Sequence, residues 1–320
     1  MATIVLVIGN GFDINLGLPS RYKDFVKSPE WKKLLSIKRM AKWKNKQNQS
    51  LLYQIKSHQY DNWFNIEEEI NTFVREHTNP KEITRDNNKA DFDDLKDSLT
   101  QYLQRITNEY TTNQSCLAYT LIKNLKESPR CHRHIFSFNY TDCLQLCGYN
   151  KYYYNPKACN ILELTNIHGS LNNGIVLGCE AFMGDKINKD YSFMYKYNML
   201  TKPNHIVQHL LDASEVVFFG HSINEMDFCY FRDYFKIIST TAGKDKNLTI
   251  ICKDEKAEID IKNNIRNQGI IVTDLYNNLK TLDFFHTDLI NNNGVEVIKW
   301  NEFIDRIKRY GKESMGINIH

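Results

Sequence analysis

Four short segments place small, polar and proton-handling residues directly after apolar runs. They are Gly9-Asn10-Gly11-Phe12-Asp13, then Asn139 and Thr141 in FNYTD, then His168-Gly169-Ser170, and last Gly220-His221-Ser222 with Asp227 following. Glycine reaches backbone angles that strain other residues. It also lets a pyrophosphate approach the main-chain N–H groups at a helix start. Histidine is the side chain best suited to move protons near neutral pH. Small polar groups after a buried strand can hold a ribose or a phosphate. The chemistry indicated is nucleotide binding, with a histidine at hand for proton transfer.

Each segment also has a plainer reading. The first is an incomplete G-x-G-x-x-G, since Ile14 holds the third position and the next glycine is Gly17. No clear acidic residue follows about 20 positions on, at the end of a second strand. Asn139 or Thr141 caps a helix in the plainer reading. His168 is then a satisfied structural histidine, and 215–227 a strand-to-helix connection with Asn224 or Glu225 near the cap. Asp13 and Asp227 are either site carboxylates or caps. Four such motifs at four strand ends on one edge of one sheet favour the functional reading over four independent coincidences.

The elements that must position these residues follow from hydropathy. Apolar runs predict strands at 3–8, 133–138, 161–167, 174–178, 215–219, 247–252 and 269–273. Helical patterns fall at 201–212, 226–238, 255–266 and 299–309. Strands alternating with helices predict an α/β fold with a mostly parallel sheet. The interval 29–129 carries no strand pattern. Trp63, Ile66, Ile70, Phe73 and Val74 form a helical stripe over 62–76, and a second helix is expected over 92–107. A helical insertion between the first and second strands is therefore expected. The predicted organisation is a nucleotide-binding domain of 1–28 and 130–320, with the insertion at 29–129. Ligands in open α/β sheets bind at the carboxyl ends of strands, the edge from which such an insertion rises.

Glu67 falls inside the apolar stripe, whereas Glu68 and Glu69 point away. A carboxylate among apolar neighbours needs a partner or a raised pKa. Either the insertion delivers Glu67 into the cleft to polarise a ribose hydroxyl or water, or Glu67 pairs with a surface lysine.

Bulk properties exclude several classes. A net charge of +3 gives no reason to expect a nucleic-acid partner, and the basic run 32–47 reads as a solvated helix face. No run approaches the roughly 18 apolar residues of a membrane span, and no signal peptide is evident, so the expectation is cytoplasmic. The eight cysteines contain no C-x-x-C pair and read as reduced, mostly buried thiols, with no metal expected.

The motifs VIGNGFDINLGLPSRYKDF (7–25), WFNIEEEI (63–70), FSFNYTD (136–142), IHGS (167–170) and FFGHSINEMD (218–227) resemble the bacteriophage abortive-infection AbiH family. That resemblance implies a role in phage defence. The same segments resemble, more remotely, the sirtuins, through Gly9, Gly11, Gly17-Leu18-Pro19, Asn139 and His168-Gly169. The second resemblance implies a Rossmann-like, sirtuin-related sheet and cleavage of the nicotinamide–ribose bond of NAD. Asn139 would orient the ribose or water, and His168 would act as general base. Gly9, Asn10 and Gly11 would line the pyrophosphate, with Gly220 and Ser222 on the adenosine side. Phe12, Asp13, Thr141, Gly169, His221 and Asp227 complete the expected binding set, and Glu67 joins Asn139 and His168 as catalytic. Asn10, Asp13 and Thr141 depart from the sirtuin pattern, and the zinc cysteines of deacylating sirtuins are missing. Hydrolysis of NAD is thus expected rather than deacylation, in a homo-oligomer released by a phage-derived trigger. Two rivals stand beside it: a non-catalytic NAD or ADP-ribose sensor, and an interaction protein that captures a phage or host component through the insertion.

Overall fold

Ile4 to Ile8 are all buried, and a strand buried along its whole length needs neighbours on both sides and cover on both faces. The computed structural model supplies both. It describes residues 3–38, 40, 49–61, 65–127, 132–149, 154–155, 160–181, 186–240, 243–290 and 294–313. Thr3–Ile8 (β1) pairs in parallel with His132–Ser137 (β2) on one side. Following Tyr154–Asn155 (β3), Asn160–Asn166 (β4), Gly169–Ser170 (β5) and Gly174–Ile175 (β6), the strand Glu215–Phe219 (β7) pairs on the other side. Gly243–Cys252 (β8) and Leu279–His286 (β9) extend the sheet, and β3 adds an antiparallel edge. The sheet order is β3-β4-β2-β1-β7-β8-β9. Along the chain, the parallel strands thus lie third, second, first, fourth, fifth, sixth. The order reverses between β1 and β7.

Alternate residues face opposite sides of the sheet. Val5, Val7, Phe136, Val216, Phe218, Leu248 and Ile250 share a core with Leu210, Phe235, Ile261 and Ile265 of the helices on one face. On the other face Phe12 meets Phe219 edge-on at 5.2 Å, and Phe285 meets Trp300 and Phe303.

Two expected strands fall differently. Only Gly174–Ile175 of the 174–178 run is extended, in a separate two-stranded sheet with β5. The 269–273 run is not a strand. Gly269 at φ +81° closes the helix Glu255–Asn267, and a new helix runs Val272–Asn278. The sixth parallel strand is β9, an edge strand whose Lys280, Asp283 and His286 interrupt the apolar run that marks a central strand. The helix expected over 201–212 starts at Ile206, that over 226–238 is broken at Phe231, and the last runs Gly294–Glu313.

The chain divides into two units, Met1–Leu18 with Thr111–Ile167 and Pro203–His320, and Pro19–Tyr110 with His168–Lys202. The expected insertion and the second unit coincide over 29–110. The helix Leu117–Glu127 belongs with the sheet, where Ala118 N donates to Asn15 Oδ1 at 2.9 Å. Within the second unit the helix expected over 92–107 runs from Glu82 to Asn108. The one expected over 62–76 is described as Ile66–Glu76, with Asn65 Oδ1 accepting from Glu67 N as its cap. The segment 168–202 is fastened to these helices by Asn188 Nδ2, which donates to Val74 O and His77 O, each at 2.8 Å. Trp63, Cys131, Cys159 and the basic residues Arg39, Lys42, Lys44 and Lys46 lie outside the described residues. Of the six described cysteines, all free, Cys143, Cys147, Cys179 and Cys252 are buried. Among the described residues no helix is long and apolar enough to cross a membrane.

Candidate functional site

The carboxyl ends of β1, β2 and β7 lie side by side, so the loops that leave them meet at one edge. Gly9 N donates to Phe219 O at 3.1 Å, Gly11 N to Gly220 O at 2.9 Å and Phe12 N to Gly9 O at 2.9 Å. A Cβ on Gly9 would stand 2.7 Å from His221 Cα, one on Gly11 2.6 Å from Gly220 Cα, and one on Gly220 2.4 Å from Gly11 C. The three glycines therefore let two loop backbones touch. A close ligand and a close backbone demand the same missing Cβ, which is why the sequence alone reads the turn as a pyrophosphate cradle. Asn10 is exposed, and Phe12 is a core side chain.

Asp13 is buried one helical turn further on, and its carboxylate draws the β2 loop in. Asn139 Nδ2 donates to Asp13 Oδ1 at 2.8 Å and to Gly9 O at 3.0 Å, and Thr141 Oγ1 donates to Asp13 Oδ2 at 2.7 Å. Burial pushes the Asp13 carboxyl up to about 6, against the lowering effect of the hydrogen bonds from Thr141 and Asn139. Neither Asn139 nor Thr141 caps the following helix. Asp142 does so, accepting from Leu144 N and Gln145 N at 3.0 and 3.1 Å. With the cap supplied by the next residue, the two polar side chains are committed to the β1 loop instead.

The β7 loop is strained. Gly220 sits at φ +63° and Ile223 at φ +48°, a left-handed conformation that a β-branched residue rarely adopts. Ile223 N donates to His221 Nδ1 at 2.9 Å. That ring nitrogen is therefore an acceptor, and Nε2 faces Asp227 Oδ2 at 3.6 Å. Phe138 and Phe231 set their rings edge-on to the imidazole at 4.5 and 5.2 Å. Asn224 Oδ1 takes the Asp227 N–H, so the Asp227 side chain turns to the histidine rather than capping. Ser222 is exposed, and its carbonyl accepts from Asn264 Nδ2.

Three expected site residues belong to the second unit. Glu67 Oε2 lies 3.2 Å from Lys196 Nζ, and this lysine is fully buried rather than on the surface. Glu69 does not simply point away, since it accepts from Gln54 Nε2 and pairs with His58. His168 is buried, and its carbonyl accepts from Val176 N at 2.7 Å. Gly169 at φ +74° opens the β5–β6 hairpin, where a Cβ would strike Gly174 O.

Sequence reading missed several contributors. Ser137 Oγ accepts from Asn139 N, and Asn166 Nδ2 donates to Asn139 O at 3.1 Å, fixing the peptide that carries the asparagine. Asn166 ends β4 as Asn139 follows β2, a signal present in LTNIHGS but overshadowed by its histidine. Lys196 carried no signal, because a buried lysine is read as exposed by type. Among the described residues no cluster of three metal-ligating side chains occurs.

The family model for "Bacteriophage abortive infection AbiH" matches residues 5–251, which span β1 to β8 and every loop of this edge. The chain belongs to the AbiH family. No curated protein matches it.

Proposed function

We propose that this AbiH protein binds NAD at the crevice between β1 and β7 and hydrolyses its nicotinamide–ribose bond during abortive infection. One observation carries the reading. The parallel strands run third, second, first, fourth, fifth, sixth, the order of Rossmann-like dinucleotide-binding sheets, in which ligands sit outside the carboxyl ends where the order reverses. The Asp13–Asn139–Thr141 cluster and the His221 loop lie at that reversal. The remote likeness to sirtuins supports the choice of NAD.

In this reading the bond from ribose C1′ to the nicotinamide nitrogen breaks, and nicotinamide leaves with the bonding pair. Polar groups fixed in advance stabilise the oxocarbenium-like ribose. The oxygen of a water adds to C1′, and its proton passes to a base, the role assigned to His168. Nicotinamide, ADP-ribose and a proton result. Product analysis by mass spectrometry tests this: wild type releases nicotinamide and ADP-ribose, and Asn139→Ala with His168→Ala does not. Intact NAD from the wild type, alone and with extract of infected cells, would overturn hydrolysis.

A second reading, a nucleotide sensor without catalysis, is favoured by Asp13 and Thr141, which depart from the sirtuin pattern and here bond to each other, Asp13 also to Asn139. It expects NAD or ADP-ribose to bind and return unchanged.

A further inference from the structure

The Asn139 side chain is fastened at the edge, yet only on one side. Its Nδ2 has two partners, Gly9 O and Asp13 Oδ1, and both are acceptors. Turning the carboxamide over would set Oδ1 against two oxygens, so the observed orientation is the one the neighbours permit. Its peptide group is fixed as well, by Ser137 Oγ and Asn166 Nδ2. Asn139 Oδ1, in contrast, makes no hydrogen bond among the described residues. It points to the side of the amide opposite Asp13.

We propose that Asp13 is a positioning residue: it clamps the Asn139 carboxamide so that Oδ1 is held out as an acceptor for a hydroxyl or water of the ligand. The type of residue at 13 supports this. A neutral side chain could staple the two loops at lower desolvation cost. An ionised carboxylate only accepts hydrogen bonds, so it admits the NH2 edge of Asn139 and refuses the oxygen edge. Asparagine at 13 could turn over and meet either edge. Thr141 holds the second carboxylate oxygen at 2.7 Å and so keeps Oδ1 of Asp13 turned to Asn139. The proposal rests on the edge being a ligand site, as argued above.

The test is nuclear magnetic resonance of protein labelled with 15N-asparagine, the Asn139 side-chain signals being assigned by their loss in Asn139→Asp. In the wild type the two Nδ2 protons give separate signals that exchange slowly with water. Asp13→Asn, nearly isosteric, and Thr141→Val are the variants. Each is expected to speed that exchange at least about tenfold while the backbone spectrum stays native. A purely structural staple would free this amide as well but would leave the affinity for ADP-ribose unchanged in Asp13→Asn, whereas loss of a positioned acceptor lowers it. Asn139 side-chain signals in Asp13→Asn that match the wild type would overturn the proposal. Adding NAD or ADP-ribose separates it from the reading beneath it. An Asn139 amide that is clamped in the wild type and freed in the variants, yet silent to both nucleotides, upholds the clamp and overturns the nucleotide site.

Discussion

Lys196 Nζ lies 3.2 Å from Glu67 Oε2, with the lysine side chain fully buried. This pair changes how Glu67 is to be read. A carboxylate in an apolar stripe needs a partner, and this one has an ammonium that is itself out of water. Removing either member takes away the other's charge partner at 3.2 Å. Lys196→Met is expected to destabilise the protein by about 3 kcal/mol. Replacing both, as Glu67→Leu with Lys196→Met, should recover at least about 2 kcal/mol of the summed single losses. Urea unfolding of the three variants checks this, and additive losses would show that the pair is not coupled.

Gly220 and Gly17 both have positive φ, at +63° and +98°, but only Gly220 has backbone where a Cβ would go. Gly17→Ala should therefore cost only the conformational penalty, about 1 kcal/mol. Gly220→Ala adds a collision with Gly11 and should cost about 3 kcal/mol or more. Equal melting temperatures for the two variants would contradict the packed-loop geometry.

Asp13 makes stability depend on pH in an unusual direction. Its carboxyl sits near 6 when folded, against an ordinary 3.8. Between those values the folded state holds more protons than the unfolded state, so stability falls as pH rises from about 4 to about 6. The loss amounts to no more than about 3 kcal/mol. Asp13→Asn removes it. The stability difference between wild type and Asp13→Asn, followed from pH 4 to pH 7, should thus shift toward the variant as pH rises. A difference that stays constant would mean that Asp13 titrates alike in both states.

Much of this was legible in the sequence, and the misses have physical causes. β1 and β7 are almost continuous apolar runs, as central parallel strands tend to be, whereas β2 and β4 carry Arg133, His134 and Glu163 among shorter apolar stretches. The ends of all four were nonetheless legible within a residue or so. β9 is an edge strand, half covered and carrying charge, so its pattern resembles a loop. The helical character of 66–76 came from its stripe, and the odd place of Glu67 on that stripe was visible too. Its partner was not, because Lys196 is 129 positions away and lysine seldom marks a buried site. The glycine motif was seen but is ambiguous in principle. What fills the space over Gly9 and Gly11 depends on the β7 loop more than 200 residues later, and pattern alone does not carry that. Asn139 is legible as a candidate, whereas its link to Asp13 is not, because Asn139, Thr141 and Asp142 are all capping residues by type and only the fold commits Asp142 to the cap.

Hydrogen–deuterium exchange with and without ADP-ribose tests for a nucleotide site at the reversal between β1 and β7. Protection is expected in three segments, 9–13, 137–142 and 219–223, with the helix 294–313 unchanged. Protection confined to other segments, or none at saturating ADP-ribose or NAD, would contradict it.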